Sequence, residues 1–316
     1  MPHSKLRGVL VAAVTPFTDD LALDEADLRQ HLARVAAVPG ITGIVCNAHA
    51  AEVETLDRDE RRRCLALARE TAPDKTVVAG IRASSTANAV AYARDAVAEG
   101  ADALLVCAPS IPAWRAADAP EFAVAFHKAI ADAVDLPMIP FQYPQENVVS
   151  YPHEALLQMV DEIPSVAGVK MCHGGELRRY EQDLRALQAH PRDIAILPAL
   201  AQYFLPYAAL GGVDGALTGF GNVAPEWVVA TLAAVQAGDL ARAQALHARL
   251  YPVTSIVCQA PGVYLHVRYK EAAYLAGRIR GRAVRPPQLP LPAAEQAALV
   301  RAMAQAELLA REPALA

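Results

Sequence analysis

The stretch 167–176, AGVKMCHGGE, sets a lysine at the end of an apolar run. Lys170 is one of five lysines in the chain, and residues 163–169 before it are mostly small and apolar, as a buried parallel strand would be. Burying an ammonium costs several kcal/mol unless it is paired or gives up its proton. At the end of such a strand desolvation drives the amine toward its neutral form. A neutral amine is a nucleophile, its natural target is a carbonyl, and the product is a Schiff base. The protonated imine is an electron sink, so a bond beside the former carbonyl carbon can break. A lysine snorkelling from a rim, or paired with a carboxylate, is the structural alternative. Two histidines stand near strand ends, His49 after ITGIVCNA and His173 just past Lys170. Imidazole titrates near the working pH and suits proton transfer. The two come from different segments and no HxH or HxxxH spacing joins them, so no metal is expected.

Such an amine needs a frame. Short apolar, β-branched runs occur at 8–17, 41–48, 75–81, 103–109, 137–144, 166–171, 194–200 and 215–221. Between them lie amphipathic, Ala-rich helical patterns: Asp24–Val38, Asp57–Thr71, Thr86–Glu99, Ala117–Ala133, Pro152–Ile163, Glu176–Ala189, Phe204–Leu210 and Pro225–Ala237. Asp24, Asp57 with Glu60, and Thr86 read as start signals, and Gly40, Gly100, Gly211 and Gly238 as stops. Eight strand–helix pairs predict an α/β fold, the (β/α)8 TIM barrel, which typically takes about 250 residues. Strands without period-2 alternation fit a sheet covered by helices. An open doubly wound sheet is the rival, but no GxGxxG follows the first strand. The barrel is assigned to 1–238 and a C-terminal helical extension to 239–316. The extension reads as Leu240–Tyr251, Val263–Ala276, the linker RPPQLPLP and Ala293–Leu309. Lys170 then closes the sixth strand, on the face where this fold carries its active sites.

Composition narrows the classes. Hydrophobic residues make up 54% of the 316, yet no window approaches about 18 uninterrupted apolar residues, so no membrane span is expected. The start, MPHSKLRGVL, lacks a signal-peptide pattern, which predicts a cytoplasmic protein. Five cysteines without CxxC spacing fit reduced, buried thiols. A net charge of −5 and a pI near 6.0 argue against a nucleic-acid partner. The run Arg61–Arg63 follows Asp57, Asp59 and Glu60 and reads as a solvated helix face.

Several stretches together resemble the dihydrodipicolinate synthase / N-acetylneuraminate lyase family of class I, pyruvate-type aldolases. They are VTPF (14–17), Glu52 with Thr55 and Leu56, VAG (78–80), LPMI with Pro144, GVK (168–170) and GNVAP (221–225). The resemblance runs essentially end to end. It implies a barrel with a helical extension, a Schiff base on the lysine of GVK, which is Lys170, dimers or tetramers, and no metal or organic cofactor. Lys270 matches a further family lysine and is expected in a structural ion pair.

The departures bear on the reaction. Where the family has Tyr-Asn-Val-Pro, this chain has Phe141-Gln142-Tyr143-Pro144, and Phe141 cannot transfer a proton. Glu146 stands near the place of the synthases' carboxylate-binding arginine. Gly-Thr-Thr-Gly-Glu becomes Ala48-His49-Ala50-Ala51-Glu52, and the tyrosine after strand four becomes Ile111. The synthase proton relay is thus missing, and dihydrodipicolinate synthesis is not expected. His49 is the leading replacement, with Tyr143 second because it points to the same side of the strand as Phe141. The backbone amides of His49 and Ala50 are expected to cradle a substrate carboxylate, with Ala51 in place of glycine altering the cradle. Glu52 is read as loop support. Arg82 binds a second carboxylate or a polar tail, or else pairs with a neighbouring loop. Thr218 places a hydroxyl by the substrate, and Phe220 narrows the pocket or stacks on an aromatic group. His173 reads as a solvated loop residue.

The sequence therefore predicts a Schiff-base lyase acting on a small-molecule 2-oxo acid, most simply by retro-aldol cleavage releasing pyruvate. A dehydratase or hydratase-aldolase of the same family is the alternative. A protein that only binds or senses 2-oxo acids is the non-enzymatic one, and the retained Lys170 argues against it.

Overall fold

The computed structural model describes residues 6–109, 119–147, 149–199 and 201–311. Ile111, and the beginning of the helical pattern at 117–133, lie outside them. Eight parallel strands alternate with helices: β1 (Gly8–Ala12), α1 (Glu25–Ala36), β2 (Ile41–Cys46), α2 (Arg58–Thr71), β3 (Thr76–Ile81), α3 (Thr86–Ala98), β4 (Ala103–Val106), α4 (Pro120–Ala131), β5 (Met138–Gln142), α5 (His153–Glu162), β6 (Gly168–Met171), α6 (Leu177–Ala189), β7 (Ala195–Pro198), α7 (Phe204–Ala208), β8 (Gly215–Thr218) and α8 (Pro225–Gln236). Hydrogen bonding runs β7-β6-β5-β4-β3-β2-β1-β8, every pair parallel. Asp214 bridges the remaining gap: its N–H donates to the Ile196 carbonyl at 3.0 Å and its carboxylate accepts from the Ile196 N–H at 2.9 Å. The result is a nearly closed (β/α)8 barrel. Three helices follow, α9 (Leu240–Val257), α10 (Leu265–Leu275) and α11 (Ala293–Gln305).

The strands are buried almost without interruption, as helices covering one face and barrel layers filling the other require. Helix starts follow the capping signals with one change. Asp24 and Asp57 cap α1 and α2, the latter in a reciprocal capping box with Glu60, but Ser85 rather than Thr86 caps α3. Gly40, Gly100, Gly211 and Gly238 all have positive φ, as stops at a left-handed residue demand. Helix α9 runs past Pro252, where the sequence suggested an end at Tyr251. Val253 and Val257 are wholly buried, and the Thr254 hydroxyl returns to the Tyr251 carbonyl at 3.2 Å, so packing offsets the lost N–H. Arg61 is a second correction. It is buried rather than solvated, donating to the carbonyls of Val53 (2.8 Å), Leu56 (3.2 Å) and Arg82 (3.0 Å), while Arg62 and Arg63 pair with Glu99, Glu25 and Glu70 at the surface.

The GNVAP turn fastens the end of β8 to the end of β1. The Asn222 amide donates to the carbonyls of Ala12 (2.8 Å) and Gly219 (2.6 Å), and its oxygen accepts from Val14 N (3.0 Å) and His31 Nε2 (2.7 Å). One side chain with every hydrogen-bonding site filled thus holds the barrel mouth in shape.

Candidate active site

A cavity of about 680 Å³ opens at the C-terminal ends of the strands. Lys170, the third residue of β6, lines it and is only 5% exposed. Its Nζ lies 3.8 Å from the centre of the Phe141 ring, its in-register neighbour on β5. Among the described residues the amine has no carboxylate or hydrogen-bond partner. Burial draws its pKa down to about 8, with Cys172 and Cys107 pulling the other way. At pH 7 about a tenth of the amines are then neutral, against roughly one in several thousand for an ordinary lysine. The Phe141 face suits a cation but takes no proton, so it tolerates both forms of the nitrogen.

Tyr143 stacks on Phe141 with ring centres 3.9 Å apart, as strand alternation predicts. Its hydroxyl accepts from Arg82 Nη1 at 3.3 Å and lies 3.6 Å from Cys107 Sγ. Burial holds the phenol protonated, well above its usual range, with Cys107 adding to this and Arg82 opposing it. Arg82 stands behind Tyr143 rather than in the cavity wall, and its guanidinium pairs with Glu54. Of its two predicted roles, the pairing with a neighbouring loop is the one present here, through Glu54.

His49 lines the cavity, 6.0 Å edge-on from Tyr143 and 4.3 Å from the ring of His266. Its pKa falls well below the usual value, first through burial and then through His266, Arg82 and Lys170. It is therefore neutral and able to accept a proton. The amides of His49 and Ala50 stand at the open end of a single 3₁₀ turn, His49–Ala51, where backbone N–H groups lack intrahelical acceptors. Ala51 needs no positive φ. That strain falls instead on Glu52, at φ 53°. Glu52 is held by a buried ion pair with Lys270 and by the Arg285 N–H at 3.3 Å, which gives Glu52 the support role and Lys270 the ion pair expected of them. Gly80 lets the loop descend: a Cβ there would sit 2.1 Å from the Asn47 carbonyl oxygen.

Thr218 lines the cavity, its hydroxyl accepting from Phe220 N at 3.1 Å. Phe220 is wholly buried and faces a separate small void beside Val228 and Leu250, outside the lining of the main cavity. His173 is likewise buried rather than solvated. Its Nε2 lies 2.7 Å from Asp183, whose other oxygen meets His153 Nδ1 at 2.5 Å, and its ring stands edge-on to Tyr180. Burial alone would raise the Asp183 pKa, but the two histidines hold it low. This network fixes the loop that brings Gly174 and Gly175 into the wall. Glu146, in place of the family's arginine, lies exposed at the rim.

The largest omission of the sequence reading is the far wall. His266 and Tyr269 on α10, with Leu265, Cys258 and Gln259, line the cavity from the extension. Tyr269 packs so tightly on the β8 turn that a Cβ on Gly219 would lie 3.0 Å from its ring. The i, i+3 spacing of His266 and Tyr269 in YLHVRYK shows that they share a helix face, but not that the face looks into a barrel.

Residues 5–306 match the family model described as the dihydrodipicolinate synthetase family. The chain belongs to that family. The 4-hydroxy-tetrahydrodipicolinate synthase of Kineococcus radiotolerans is 34% identical over 95% of this chain and 93% of its own, and that of Methanopyrus kandleri 31% over 79% and 80%. Among solved structures, YagE of E. coli K12, determined in complex with pyruvate, superposes with a TM-score of 0.83 at 23% identity, covering 96% of this chain and 99% of its own. At that identity the likeness concerns the fold. Membership of the dihydrodipicolinate synthetase family makes the chain an enzyme, a lyase of the class I aldolase type. Among the described residues no helix is long and apolar enough to cross a membrane, and no cluster of three metal-ligating side chains occurs.

Proposed function

We propose that the enzyme cleaves a 2-oxo acid by retro-aldol chemistry through an imine on Lys170, releasing pyruvate. The observation that carries this reading is the amine itself: buried, unpaired among the described residues, and open to a cavity at the C-terminal end of β6. Lys170 Nζ attacks C2, and loss of water leaves an iminium above the Phe141 ring, whose face favours the positive charge. The amides of His49 and Ala50 receive the substrate carboxylate. Neutral His49 takes the proton of the C4 hydroxyl as the C3–C4 bond breaks. The bonding pair moves into the iminium to give an enamine, and an aldehyde departs. Return of the proton to C3 and hydrolysis free pyruvate and the lysine. Tyr143, held protonated, donates a hydrogen bond and does not act as base. The fold of YagE in its pyruvate complex supports this assignment by analogy. We also read the chain as a cytoplasmic homodimer or homotetramer, for which the exposed Phe122 of α4 and Leu177 of α6 offer apolar contact surface.

The test is to incubate the protein with pyruvate and borohydride and weigh it. A reduced pyruvate adduct on Lys170 is expected. No adduct with pyruvate or any other 2-oxo acid would remove the imine from the mechanism.

A further inference from the structure

The wall contributed by α10 contains a polar group that neither packing nor the steps above employ. The His266 ring lies 4.3 Å from that of His49 with 37° between their planes, and both line the cavity. His266 Nδ1 is buried and has no hydrogen-bond partner among the described residues. A buried imidazole nitrogen left unsatisfied costs free energy, so packing alone does not explain a histidine here. Its position is fixed. Lys270, one turn further along the same helix, is anchored by its ion pair with Glu52, three residues after His49, and by a 2.8 Å bond to the Ala283 carbonyl. The same helical turn that grips the loop therefore sets His266 against His49.

We propose that His266 is a positioning residue for His49: the two imidazoles form a stacked pair that presents His49 to C3 of the substrate imine as a neutral proton carrier. The assignment rests on the imine reading above. Around the pair stand Arg82 from the β3 end, Lys170 from β6, Lys270 on α10 itself, and the protonated Tyr143 from β5, with Glu54 engaged by Arg82. Burial above all, and then His266 and the cations of Arg82 and Lys170, make a proton on His49 unfavourable at rest. His266 is held neutral by the same burial and by Arg82 and Lys270, its pKa falling to about 4 against the opposing pull of the His49 backbone. When pyruvate is bound as the iminium, C3–H gives its proton to the His49 ring. The C–H pair becomes the enamine double bond, the iminium is neutralised, and the reverse step returns a proton to C3. His266 loses nothing in the exchange. It holds the acceptor ring in line with C3 and keeps it unprotonated at rest, so that its nitrogen is free when the iminium forms.

Deuterium uptake into the methyl group of saturating pyruvate in D2O reads this step without the natural substrate, and borohydride trapping reads imine formation separately. His266→Phe keeps a ring in the stack and removes the nitrogens. It should leave the trapped adduct intact, slow deuterium uptake about tenfold or more, and move the acid limb of the saturated exchange rate to higher pH, since His49 then holds a proton more readily. Combining it with His49→Ala should slow exchange no further than His49→Ala alone. Exchange within twofold of wild type, an unmoved acid limb, or losses that multiply in the double variant would each overturn the assignment. If His266→Phe does not fold, His266→Gln is judged by the same three readings. A wild-type chain that gives no adduct overturns the imine reading, and this assignment with it.

Discussion

Two lysines are buried in this enzyme to nearly the same degree, and burial lowers both pKa values to about 8. Lys270 sits 4.2 Å over the Phe17 ring, as Lys170 sits 3.8 Å over Phe141. What separates them is company. Lys270 has the Glu52 carboxylate and the Ala283 carbonyl, whereas Lys170 has an aromatic face, two thiols in the vicinity and a cavity. A depressed pKa is therefore not the mark of a nucleophile. The mark is an amine whose desolvation no partner offsets and whose lone pair meets open space.

Substitution breaks this comparison most sharply. Lys170→Met should reduce turnover by a factor on the order of 10⁴ or more, since the nucleophile has no substitute. Its thermal midpoint should hold or rise, because an unpaired buried amine gives way to an apolar side chain of similar length. A marked fall in stability would mean that Lys170 has a partner after all. Lys270→Met should do the opposite. It strands the Glu52 carboxylate in the interior and should cost about 3–5 kcal/mol of unfolding free energy by denaturant titration. The folded fraction should still form the borohydride-reduced adduct on Lys170, and loss of that adduct from folded protein would place Lys270 in the chemistry.

The pH dependence sharpens the contrast at a smaller scale. Below its folded pKa of about 8, Lys170 is protonated and cannot attack. The trapping rate at low pyruvate should rise about tenfold per pH unit up to pH 8 and then level. Stability carries the same sign. Between about 8 and the ordinary lysine value of 10.5 the unfolded chain keeps a proton that the folded chain has released, so stability climbs with pH across that window. Lys170→Met should climb less steeply, and equal slopes would argue against the depressed value.

The fold was legible because the signals are local and repeated. Strand runs and helix starts such as Asp57 with Glu60 each follow from a few neighbouring residues, and eight repetitions leave little choice of architecture. Lys170 was legible because a charge at the end of an apolar run contradicts its surroundings. Phe220 and Arg82 lie outside the lining of the main cavity, which their strand positions did not reveal. Strand position gives the face of the barrel, not which side chains its mouth admits, and Phe220 turns outward into the next layer while Glu54 captures Arg82. His266 lay out of reach because its contact with His49 spans more than 200 residues of chain, and Tyr269 because it meets the β8 turn from a helix outside the barrel repeat.

The bond between Glu52 and Lys270 ties that loop and the turn of α10 into one mechanical unit. Reshaping this pocket by transplanting the His49 loop from a relative would bring in a strand end without its counterpart on the helix. Swaps that carry residues 47–56 together with 265–271 should yield working hybrids where either segment alone yields misfitted ones.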